Sequence, residues 1–196
     1  MVKKYNNIKY ITILSMLTFS DIIVNSEERP LSDSEIESHY NIHVVPYHTI
    51  LQNINLIMSN LINGKKLIIR YEFTHQKIGH YVCIFIHNNI INFYDPLAYV
   101  PDYEVQNESI NNAITILIES LQSVGYHNYN VNRFRHQQMD ELINTCGRHC
   151  IVRCIFYELD NSQYNIFINS LQHYTPDQTV TLLTLFSNIN FHLKNN

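Results

Sequence analysis

The stretch "GHYVCIFIHNNIINFYDP", residues 79–96, limits what this chain can fold into more than any other segment. Two runs rich in β-branched and aromatic residues flank Asn88-Asn89, a pair that tolerates the left-handed backbone of a tight hairpin turn. With a two-residue turn, His87 pairs with Ile90, and counting back sets Asp95 opposite Val82. Side chains alternate along a strand, so Asp95 and His80 become diagonal neighbours on one face. Such neighbours have Cβ atoms roughly 7–8 Å apart, a gap that a histidine and an aspartate can bridge with a hydrogen bond. The pair reads either as an oriented base or as two polar residues flanking the hairpin mouth in water. Cys83 falls on the opposite face, beside Tyr81 and Phe85, as a buried and inert thiol.

A second strand-like run, "LIIRYEF" at 67–73, precedes the hairpin, and "YNVNRFRHQ" at 129–137 follows it. Helical segments lie to either side. Ser32 and Glu35 form a capping box with Leu31 and Ile36 placed as its staple, so a short helix starts near Asp33. Ile50, Leu51, Ile54, Met58 and Leu61 share one helical face that ends at Gly64. "ESINNAITILIESLQSV" reads as an amphipathic helix closed by Gly125. "CGRHCIVRCIFYEL", "SQYNIFINSLQHY" and "TPDQTVTLLTLFSNINFHL" are helical as well, the last with Thr175 as cap, Pro176 at its first position and Gln178 three residues beyond Thr175. Helices, a strand block, a helix, a strand and more helices make an α+β layout.

At 196 residues and 45% hydrophobic, the chain suits one well-buried domain over 30–196. Residues 1–29 stand apart as an N-terminal extension or helix. Their early lysines and apolar run raise the question of a secretory signal, against which stand Thr, Ser and Asp21 within the run and the lack of a small-x-small cleavage site. The run is too short and interrupted to span a bilayer. A net charge of -4 gives no basic footprint for nucleic acid.

Three of the four cysteines sit in "INTCGRHCIVRC", residues 143–154. Cysteines this close cannot staple distant segments, so a reducing compartment is expected. On a helix, Cys146, His149, Cys150 and Cys154 lie along one stripe and cannot surround a tetrahedral zinc, and no metal is expected. Cys150 and Cys154 read as small apolar residues on the buried side. Cys146 differs because it opens the helix, where partial positive charge and free N–H groups favour a thiolate. Gly147 beside it would let a substrate backbone approach. The residue is either an activated nucleophile or a plain helix-start cysteine.

The set "GHYVCIFI…FYDP…HQQMDELINTCGRHC" resembles the adenain-like and ubiquitin-like-protein-specific cysteine proteases, and within them the capsid-maturation proteases of virophages and Polinton-type elements. The order His, Asp, Gln, Cys-Gly is shared over roughly residues 30–160. The resemblance implies a papain-like-type core, a small central mixed sheet flanked by helices with the nucleophile at the N-terminus of a central helix. It implies Cys146 as nucleophile, His80 as general base, Asp95 as its orienting group and Gln138, with Gln137 as alternative, as oxyanion donor. Tyr81 and Gly147 would line the substrate site. Tyr81 replaces the family's usual Trp, Ala98 stands where a Gly often follows the Asp, and the stretch from Gln138 to Cys146 is longer than usual. The implied activity is cleavage of viral capsid precursors at Gly-containing sites, without cofactor, by a monomer in the host cytoplasm and virion. Its partners would be protein substrates, with neither membrane nor nucleic acid. The same scaffold also serves removal of ubiquitin-like tags or acyl transfer, and a silent capsid-binding module would keep the fold without the chemistry.

Overall fold

Five strands form one mixed sheet in the order β1 to β5 in the computed structural model, which describes residues 18–72, 79–105 and 112–194. β1 (His43–Pro46) runs parallel to β2 (Leu67–Tyr71), β2 antiparallel to β3 (His80–His87), β3 antiparallel to β4 (Ile90–Tyr94), and β4 parallel to β5 (Asn128–Val131). The helices are α1 (Phe19–Glu28), α2 (Asp33–Tyr40), α3 (Ile54–Ile62), α4 (Ala113–Ser123), α5 (Cys146–Ile155), α6 (Asn161–Ile168) and α7 (Pro176–Lys194). The fold is therefore α+β, as expected. The first half of the N-terminal segment read for a signal, and part of the stretches 67–73 and 108–124, lie outside the described residues. Among the described residues no helix is long and apolar enough to cross a membrane.

The hairpin has the expected register, with His87 opposite Ile90 and Cys83 opposite Tyr94. Asn88 and Asn89 take φ values of 50° and 59°, the left-handed pair that matches a turn to the twist of its strands. Glycine accepts this backbone freely and a β-branched residue does not. Asn89→Gly is expected to leave stability unchanged or slightly raised, and Asn89→Val to lower it by about 1–2 kcal/mol. The urea midpoint should move with the slope unchanged; equal midpoints for the two variants would contradict it.

Both faces of the sheet are covered along its central strands β2, β3 and β4. Ile69, Val82, Ile84, Ile91 and Phe93 pack against α3 and α4 through Ile57, Leu61, Ile114, Leu117 and Leu121. Ile68, Tyr81, Cys83, Phe85 and Tyr94 pack against α5, α2, α6 and α7 through Cys150, Ile151, Ile36, Tyr164 and Val180. Full burial of both faces explains why β3 is nearly continuous in apolar residues rather than alternating. The helix α5 is buried at every position from Cys146 to Cys154, not along one stripe. Its polar residues are bonded inside the protein: Arg148 donates to Thr184 Oγ1 (2.8 Å) and Ser26 O (3.2 Å), and Arg153 donates to Phe156 O (2.9 Å) and Leu159 O (3.0 Å).

Several boundaries differ from the sequence reading. The helix expected from Ile50 is preceded by two short 3-10 turns at Tyr47–Thr49 and Leu51–Asn53. The strand expected over 129–137 stops at Val131, because Asn132 turns its side chain to the backbone of Asp95. The helix expected over 162–174 ends at Ile168, with Asn169 folding its amide back onto Asn165. β1 is an additional element, and α1 supplies a helix within the N-terminal segment read as an extension or helix. In α1, Ile23 and Glu27 are buried and the helix packs on α7.

Candidate active site

The site lies where β3 begins and β4 has just ended. His80 opens β3, and Asp95 follows the last residue of β4. His80 Nε2 is 3.0 Å from Asp95 Oδ1, and the two residues are 8% and 1% exposed. The diagonal pairing drawn from the hairpin register thus closes as a buried hydrogen bond, not as two groups in water. Burial pulls the His80 pKa down, but the Asp95 bond and the neighbouring Cys146 outweigh it, and the imidazole is held well above the ordinary histidine value. With Nε2 taken by Asp95, Nδ1 is the ring nitrogen left for the sulfur. Tyr71 stacks beside the ring at 6.4 Å between centroids. Glu104 is close enough to feel the imidazole's charge, although burial raises its own pKa.

Asp95 is fixed from three directions. Its Oδ1 accepts from Leu97 N (2.8 Å), its N–H donates to Asn132 Oδ1 (2.8 Å), and its carbonyl accepts from Asn132 Nδ2 (2.8 Å). The corner continues through Ala98, whose φ of 62° is the left-handed backbone that a glycine would adopt without strain. Directly after Asp95, Pro96 O accepts from both His136 N (2.9 Å) and Gln137 N (3.1 Å). The turn that aims the carboxylate therefore also holds the glutamine loop.

Of the adjacent glutamines, Gln137 is buried and Gln138 is exposed. Gln137 Nε2 donates to Ile143 O (3.3 Å), which leaves its second N–H free, while its Oε1 is buried without a partner. The resemblance points to Gln138, but the chain turns Gln137 inward while Gln138 N donates to Asp177 Oδ2 (3.0 Å).

Cys146 opens α5 and is 6% exposed. The first intrahelical bond runs from His149 N to Thr145 O (2.9 Å), so the amides of Cys146 and Gly147 precede it, as at any helix start. Gly147 does not face a substrate space: a Cβ there would meet Tyr81 Cδ2 at 3.4 Å, Ile36 Cδ1 at 3.5 Å and Leu31 Cβ at 3.7 Å. One residue further along a helix is a rotation of about 100°, which turns Gly147 inward from the direction of Cys146. Tyr81 supports the site from beneath, its hydroxyl donating to Asp33 Oδ1 (2.7 Å) and Leu31 O (3.2 Å). Beside it opens a groove of about 520 Å³ lined by Arg29, Leu31, Asp33, Arg70 and Gly79 among others.

The other three cysteines are free thiols sealed in the core. Burial pushes the Cys150 thiol up to about 12, and its Sγ donates to Tyr81 O (3.3 Å). Cys83 is raised chiefly by burial and Cys154 chiefly by its contact with Cys83. Among the described residues, no three His, Cys, Asp or Glu side chains gather as a metal ion would need.

Three residues that sequence reasoning passed over complete the surroundings: Asn132, His136 and Asp177. His136 bridges Tyr94 OH (3.1 Å) and Asn165 Oδ1 (3.1 Å), and burial, then the nearby His149, lowers its pKa to about 4, so it is neutral at physiological pH. Asp177 is fully buried beside His149 Nε2 (3.0 Å). Only its place in the first turn of a helix, where a carboxylate is favoured, was readable beforehand.

No protein-family model matches the chain. The chain is similar to "Uncharacterized protein V9" of Sputnik virophage, 28% identical over 119 residues, which is 56% of this chain and 68% of that one. Among solved structures it is similar to the central domain of the uncharacterized Lpg1148 protein from Legionella pneumophila, at TM-score 0.43 and 13% identity over 90% of this chain and 96% of that one.

Proposed function

We propose that this chain is a cysteine endopeptidase of the adenain-like kind, on a papain-like-type core, that processes viral capsid precursors at Gly-containing sites. The observation that carries the reading is the buried His80–Asp95 bond of 3.0 Å beside a cysteine at a helix start. A carboxylate on one ring nitrogen leaves the other to take the thiol proton, and the helix N-terminus stabilises the thiolate. Cys146 attacks the scissile carbonyl and forms a thioester while His80, as imidazolium, protonates the leaving amine. His80 then takes a proton from water, which attacks the thioester and releases the acid. Gln137 Nε2 and the Cys146 amide serve as oxyanion donors; the burial of Gln137 supports it over Gln138. Similarity to a virophage protein supports a viral substrate, in the host cytoplasm or the virion.

Iodoacetamide at neutral pH is expected to label one thiol, Cys146, and to label nothing in Cys146→Ala. Cys83, Cys150 and Cys154 are buried with raised pKa values, so they serve as internal controls. An unlabelled Cys146, or equal labelling of all four, would sink the thiol-enzyme reading. Incubation with a virophage capsid protein and with a ubiquitin-like precursor then distinguishes substrates; an intact capsid protein beside a trimmed ubiquitin-like tail would overturn the maturation role.

A further inference from the structure

The threonine before the nucleophile sits at the N-cap of α5 yet caps nothing. An N-cap hydroxyl ordinarily accepts from the N–H two or three residues on. Thr145 makes no such bond; it is fully buried, and its hydroxyl donates instead to Asp177 Oδ1. The same carboxylate holds His149 Nε2 on Oδ1 (3.0 Å) and Gln138 N on Oδ2 (3.0 Å). Asp177 therefore grips the chain on both sides of the reaction centre, at the residue before Cys146 and at the residue after Gln137. Pro96 O takes the amides of His136 and Gln137 from the other side, so the glutamine backbone is clamped between two fixed acceptors.

We infer that Asp177 and Thr145 are positioning residues for the oxyanion site, which rests on the thiol-hydrolase reading above. By holding the Thr145 hydroxyl, Asp177 fixes the peptide that carries the Cys146 amide, the backbone donor to the substrate oxygen. By holding Gln138 N, it keeps the Gln137 amide turned toward that donor. Neither residue touches the sulfur or the imidazole, so thiolate formation by His80 and Asp95 does not depend on them. The grip acts on the step that develops negative charge on oxygen.

Two reagents separate these steps. Iodoacetamide alkylates the thiolate by displacement at carbon, with iodide leaving and no oxyanion. The p-nitrophenyl ester of acetyl-Gly-Gly acylates the same sulfur through a tetrahedral oxyanion that collapses to the thioester and p-nitrophenolate. Asp177→Ala is expected to lower the acylation burst rate by about 100-fold, the loss seen when an oxyanion donor is removed or displaced. Thr145→Val, which keeps the shape and loses the hydroxyl, should lower it by about 10-fold. Thr145→Ser should restore it, and iodoacetamide rates should stay within threefold throughout. Should Asp177→Ala fail to fold, Thr145→Val decides alone. Acylation within twofold of wild type in Thr145→Val, or a matched fall with both reagents, overturns the positioning role while leaving the hydrolase reading in place. If wild-type Cys146 reacts with neither reagent, the hydrolase reading itself falls and takes this inference with it.

Discussion

Alanine at His80 is expected to cut turnover by roughly 10,000-fold, since losing the base of a nucleophile–base pair costs nearly as much as losing the pair. The pH profile carries a finer test of the same residue. Asp95 favours the charged imidazolium and lifts the ring's proton affinity against burial, with the net shift upward from 6.5. Leaving-amine protonation needs that imidazolium, so the alkaline limb of kcat/KM for a Gly-Gly aminocoumarin amide should lie above neutrality. Asp95→Asn should move the limb toward acid. Folding follows the same sign. A raised histidine pKa contributes stability that is full below about 6.5 and is lost as pH climbs through the folded-state value. Thermal stability should therefore fall with pH across that window in the wild type, and less steeply in Asp95→Asn. An alkaline limb that Asp95→Asn leaves in place would contradict the role given to the carboxylate.

Asp102→Asn is expected to destabilise the fold by about 3–5 kcal/mol, although the residue takes no part in the proposed chemistry. Its carboxylate accepts four hydrogen bonds, from Tyr47 OH (2.7 Å) and Ile114 N (3.1 Å) on Oδ1, and from Thr115 N (2.9 Å) and Thr115 Oγ1 (2.6 Å) on Oδ2. Two of these donors are orphan amides of α4, whose own N-cap residue, Asn112, provides no side-chain cap. Asp102 thus caps a helix from outside it. Asparagine tolerates the left-handed φ of 62° at this position, so the backbone is spared, but its NH2 must face donors on one side. A Tm lower by roughly 6–20 °C would follow for a chain of this size, against about 1 kcal/mol for Tyr47→Phe, which removes a single donor. A Tm shift below about 2 °C in Asp102→Asn would refute this account of the hub.

Much of this was legible from short-range rules. The Asn88-Asn89 turn set the hairpin register, and the register alone placed His80 and Asp95 within reach. The Ser32–Glu35 capping box and the Thr175–Gln178 cap form as their spacing predicts. Where the reading stopped short, long-range partners were most often the reason. Gln137 and Gln138 are chemically identical, and Pro96 together with Asp177, 39 residues on from Gln138, holds the backbone that turns Gln137 inward. A buried helix such as α5 gives no local sign of the partners its Arg148 and His149 take, which are Thr184, Ser26 and Asp177. β1 is four residues long, ends in proline, and pairs in parallel with a strand beyond an intervening helix, which leaves no local pattern. Glycine at 147 permits close approach, and the neighbour packed there is Tyr81.

The start of the Cys146 helix also has a history in time. Asn144 N donates to Glu27 O (2.8 Å) and its side chain to Glu28 O (2.9 Å), across a sequence separation of 116 residues for the latter. On a ribosome, the carbonyl half of that clasp emerges first and waits while the intervening chain is made, on the order of ten seconds at ordinary translation rates. Asp177 emerges later still. The segment bearing the nucleophile therefore acquires its final seat only after Asp177 has been made, so a nascent chain carries its reactive sulfur without the frame that would set it to work.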